Sequence, residues 1–106
     1  MRSVNEEEKI VPMFNASHPG RIIREWMGDD ITVAALARHL GITRTMLSNI
    51  IHGKAGVSAP MAIKLSQAFP ATDARFWVTL QANYELSRAL REKRKSIAPV
   101  RVRKAA

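Results

Sequence analysis

A chain of 106 residues suits one compact domain and is short for two. Its 46% hydrophobic and 25% charged residues exclude an intrinsically unfolded chain, and no apolar run approaches the roughly 18 residues that cross a bilayer. With no cysteine there is no disulfide, thiolate metal site or thiol nucleophile. The opening Glu6, Glu7 and Glu8 precede no apolar h-region, so no secretory signal is read and the expected compartment is the cytoplasm. The net charge of +8 is unevenly spread. Residues 1–17 carry two bases against three acids, residues 18–87 seven against five, and residues 88–106 eight against Glu92 alone.

Taken in order, the chain reads as an all-α fold of five helices without strands. Met1 to Ser17 lacks periodicity and is expected to be a flexible arm. The first helix begins at Pro19, where a missing amide proton costs nothing. Ile22, Ile23 and Trp26 supply its apolar stripe, and Gly28-Asp29-Asp30 ends it. Thr32 is expected to cap a second helix, in which Val33, Leu36, Ala37 and Leu40 fall on one face before Gly41. Thr43 caps a third, with Leu47, Ile50 and Ile51 inward, closed by Gly53-Lys54-Ala55-Gly56. Ser58 caps a fourth that admits Pro60 in its first turn, offers Met61, Ile63, Leu65 and Ala68 to the core, and stops at Pro70. Thr72 or Asp73 starts a fifth, through Phe76, Trp77, Leu80 and Tyr84 to Leu90 or Lys95. Trp26, Trp77 and Phe76 read as core aromatics. The domain is thus expected over residues 18–95, and the basic segment 96–106, with Pro99 and no apolar face, is expected to be disordered.

Only Gly41-Ile42-Thr43 separates the second and third helices, so the two must cross steeply. Ala37 gives the small contact such a crossing needs, and Gly41 the left-handed turn; this is the spacing of a helix-turn-helix, although an ordinary helical hairpin shares it. The outer face of the third helix adds chemistry. Arg44, Thr45, Ser48, Asn49 and His52 form one connected strip with no acid in it, whereas a merely solvated face usually mixes Glu and Lys. Arg44 suits the O6 and N7 of guanine, and Asn49 the paired donor and acceptor of adenine, with Thr45 and Ser48 beside them. Phosphate contacts are expected from Thr32, Thr43, His52, Gly53 and Lys54, the two threonines also serving as caps. In the fifth helix Val78, Leu86 and Leu90 fall away from the main stripe. They are either isolated surface residues or the interface of a homodimer whose two recognition helices lie roughly 34 Å apart.

The runs His18-Pro19-Gly20-Arg21-Ile22-Ile23, Leu36-Ala37-Arg38-His39-Leu40-Gly41-Ile42-Thr43-Arg44, Ile51-His52-Gly53-Lys54 and Phe76-Trp77-Val78-Thr79-Leu80-Gln81-Ala82 resemble the HigA/VapI-type addiction-module antitoxins. These belong to the Xre/Cro-like (lambda-repressor-like) helix-turn-helix group, and the resemblance covers roughly residues 18–90. It implies a lambda-repressor-like domain, a homodimer on a palindromic operator of its own operon, and a RelE-like mRNA-cleaving toxin as partner. On the matching positions it implies that Thr43, Arg44, Thr45, Ser48 and Asn49 touch DNA.

Other signals are weaker. His18, His39 and His52 lack metal-ligand spacing, so no metal is expected. Gly53-Lys54-Ala55-Gly56 is too short for a phosphate-cradling P-loop, and Ser17-His18 is mere adjacency. No convergent polar pocket for catalysis is in view, and neither an enzyme nor a cofactor is expected. A stand-alone regulator without a toxin, or an adaptor working through its basic tail, stays open on the residues alone.

Overall fold

The computed structural model describes residues 16–103. Among them are five helices: α1 (Pro19–Met27), α2 (Val33–Leu40), α3 (Arg44–Ile51), α4 (Ala59–Ala68) and α5 (Ala74–Arg91). Every one begins on a side chain that accepts a backbone proton: His18, Thr32, Thr43, Ser58 and Asp73 in turn. The expected arm falls almost wholly on residues 1–15, outside the described residues. Beyond Arg91 the backbone to Arg103 has no regular secondary structure and is exposed.

Ile23, Leu47, Ala62, Leu65 and Trp77 are fully buried, one from each of α1, α3 and α5 and two from α4, with Met27, Leu36, Leu40, Ile50, Val57 and Met61 around them. Helix α4 lies along α5, α2 crosses α3, and α1 packs on both α3 and α5. Two glycines make this geometry possible. Gly41 sits at φ 74°, ψ 32°, and lets the Ile42 amide turn back to the Ala37 carbonyl at 3.0 Å. Gly20 lies directly on the end of α3: a Cβ there would collide with the Ile50 carbonyl oxygen and come within 2.9 Å of Ile51 Cα.

Three core expectations are corrected. Trp26 is 44% exposed; the buried stripe of α1 is Ile23 with Met27, one turn apart, and Ile22 is half-buried. Ile63 is exposed, because α4 turns Met61, Ala62 and Leu65 inward. Phe76 also reaches the surface, stacked on Trp26 with a ring separation of 6.1 Å. Its neighbour Trp77 takes the interior, where the indole N–H donates to Thr72 Oγ1 at 2.9 Å. Asp73 caps α5 by accepting from the Phe76 amide at 2.8 Å, which resolves the choice between it and Thr72.

Candidate nucleic-acid interface

Helix α3 is anchored by Leu47, Ile50 and Ile51, which leaves the opposite side free. Arg44, Thr45 and His52 are exposed on that side, and Ser48 and Asn49 are half-buried between them. The five residues expected to form one strip therefore lie on one outward face. Among the described residues no acid pairs with Arg44 or with Lys54, so both cations point at solvent uncompensated. Two members of the strip are engaged with each other. The His52 ring returns to its own helix, with Nδ1 2.8 Å from the Ser48 carbonyl oxygen and 3.3 Å from the Ser48 hydroxyl. With Nδ1 donating to that carbonyl, Nε2 is the ring nitrogen left to face a ligand.

The helix starts are built as expected. Thr43 Oγ1 accepts from the Met46 amide at 3.0 Å and Thr32 Oγ1 from the Ala35 amide at 3.1 Å, and both threonines are exposed. Capping thus employs the side-chain oxygen, while the remaining amides of the first turn and the positive end of the helix dipole face outward.

The rim after α3 is held more firmly than its glycines suggest. The carbonyl of Asn49 accepts from the amides of Lys54 at 2.8 Å and Ala55 at 3.1 Å, and Gly53 donates to Ile50 at 3.1 Å. Two residues missed by pattern reading complete the clamp. Buried Gln81 of α5 accepts the Val57 amide at 2.8 Å and donates to Glu85 at 2.9 Å. His18 caps α1, packs edge-on against Tyr84 at 4.7 Å and hydrogen-bonds the Ala55 backbone. Burial pushes its imidazole below the ordinary value of 6.5, against the raising effects of the Ala55 bond and the Glu85 carboxylate. Only the His18-Pro19 junction hinted at this, because a side chain before an N1 proline is placed to cap.

Met46, 48% exposed on the flank of the strip, was also missed. Lys64 reaches across from α4 to cap the end of α2 at the Leu40 carbonyl, 3.3 Å away. Val78, Leu86 and Leu90 are all exposed along α5. Among the described residues no group of acids and histidines could hold a metal ion, and no helix is long and apolar enough to cross a membrane.

A family model described as helix-turn-helix matches residues 21–76. Virulence-associated protein A' of Dichelobacter nodosus is 51% identical over 78 residues, which span 71% of this chain and 66% of that protein. An addiction module antidote protein of the HigA family from Coxiella burnetii has a TM-score of 0.68 at 33% identity, over 72% of this chain and 84% of that one. The Pseudomonas aeruginosa antitoxin HigA, solved with the higBA promoter, gives 0.66 at 42% identity, over 71% and 83% of the two chains.

Proposed function

The chain belongs to the helix-turn-helix family, and from that premise we propose that it is a HigA-type antitoxin: a dimeric operator-binding autorepressor that neutralises a RelE-like mRNA-cleaving toxin. The observation that carries the DNA half of this reading is the acid-free outer face of α3, with Arg44 and Asn49 turned away from the core and Lys54 on the adjoining rim. Arg44 and Asn49 read base edges, assisted by Thr45 and Ser48. The amide-rich starts of α2 and α3 at Thr32 and Thr43, together with His52, Gly53 and Lys54, grip phosphates and set the register. Two copies joined through Val78, Leu86 and Leu90 of α5 present two such faces to successive major grooves. The antitoxin half is supported by likeness to an antidote protein and to an antitoxin solved with its promoter.

The test is co-purification with the product of the adjoining gene, followed by a gel shift on the DNA upstream of the pair. A small ribonuclease in the complex and a specific shift support the whole reading. A specific shift with no ribonuclease partner leaves a stand-alone regulator. No specific shift refutes the DNA half.

A further inference from the structure

Outside the helix-turn-helix lies a second concentration of charge. From residue 88 to the end, eight bases face Glu92 alone, and Arg88, Lys93, Arg94, Lys95, Arg101 and Arg103 are all exposed. Glu92 is engaged by Arg94 at 2.9 Å, so the segment's one acid is already matched. Where the charge begins matters as much as its size. Tyr84 touches His18, whose ring lies about one van der Waals contact from the Cβ position of Gly53, at 4.0 Å. The middle of α5 is therefore seated against the phosphate-gripping rim. Arg88 follows Tyr84 by one helical turn, on the same side of the helix. Past Arg91 the chain leaves the helix, and the twelve residues from Glu92 to Arg103 can extend about 40 Å. That exceeds one turn of B-DNA, roughly 34 Å.

We infer that residues 88–103 are a second DNA-binding element, which grips the phosphates of duplex flanking the operator half-site and adds affinity without sequence preference. This inference rests on the α3 reading for the position of the DNA. The chemistry is that of a charged strand on a polyanion: guanidinium and ammonium groups displace condensed counterions, each neutralised phosphate steepening the salt dependence by about 0.9. Ile97, Val100 and Val102, exposed between the bases, contact no base edge in this scheme and serve only as spacing.

The experiment uses the full chain and a variant of equal length in which Lys93, Arg94, Lys95, Arg101 and Arg103 are all changed to Gln, leaving α5 intact. Both are titrated by anisotropy against the promoter duplex and a scrambled duplex of the same length, between about 50 and 200 mM salt. The log–log salt slope of the variant is expected to be shallower by roughly 3–4. Its affinity at the lowest salt should drop about 10- to 100-fold on both duplexes, with their ratio unchanged. Trimming the promoter duplex to its palindrome should reduce the affinity of the unaltered chain and leave the variant unaffected. An unchanged slope overturns the inference, as does a loss confined to the promoter duplex. Loss of binding to anionic vesicles with an unchanged DNA slope overturns it in favour of a membrane surface. Failure of the α3 reading looks different, because the unaltered chain would then fail to distinguish promoter from scrambled DNA.

Discussion

His18 accepts the amide proton of Gly20 through Nδ1 at 2.9 Å, so the start of α1 depends on one imidazole nitrogen being unprotonated. Protonation turns that acceptor into a donor facing a donor. Burial already lowers the His18 pKa below 6.5, so the folded chain binds fewer protons at this site than the unfolded one. The stability it contributes is complete above pH 6.5 and is lost as the pH falls through 6.5 and past the lowered folded value. Thermal melts between pH 5 and 7.5 should show that acid limb, and His18→Asn, which can still cap, should flatten it. An equally steep limb in the variant would assign the titration elsewhere.

Gly20→Ala tests the seating of α1 on α3. The added methyl meets backbone at Ile50 and Ile51, which cannot rotate away as a side chain could. Urea denaturation should show a loss of about 1–3 kcal/mol. Promoter affinity should fall under conditions where the variant is still folded, because α3 and its rim are displaced together.

On the proposed DNA face, Arg44→Ala and Asn49→Ala should each remove about 1–3 kcal/mol of discrimination between promoter and scrambled duplex. Lys54→Ala should weaken both duplexes equally and lower the salt slope by about 1. Quantitative gel shifts on the two duplexes separate these outcomes, and identical behaviour of all three variants would refute the division of roles.

Much of this was legible because it is local. A threonine before an apolar period, at Thr32 and again at Thr43, serves only its own first turn, so sequence alone locates it. Gly41 is equally self-contained, since a left-handed turn of that kind strongly favours glycine. The outward strip from Arg44 to His52 followed from helical period, and the HigA-type resemblance is matched by the structural neighbours. What escaped depends on partners far along the chain. Trp26 and Trp77 look alike as sequence, and only the packing of α5 against α4 and α1 decides which is buried. Gln81 reads as a surface residue until the Val57 amide arrives, 24 positions away, with no helical partner of its own. Its burial at 8% exposure follows from that unmet donor.

The dimer reading places Leu86 and Leu90 between two copies. Leu86 and Leu90 are each about half exposed in the single chain, so Leu86→Glu and Leu90→Glu should leave its helical circular dichroism nearly unchanged and lower the melting temperature only by the lost association. Light scattering at micromolar concentration should show the mass halved, and promoter binding should lose its cooperative, two-site character. A variant that keeps the dimeric mass would show that other residues join the copies.

Within the rim, Lys54 and Ala55 hang from the carbonyl of Asn49, a group every amino acid possesses. If Asn49 reads bases and the rim holds phosphates as proposed, the amide side chain can be exchanged for another vocabulary of bases while the backbone that shapes the rim stays in place. On that proposal, new operators become reachable by single steps, each intermediate keeping its hold on the backbone while its preference drifts.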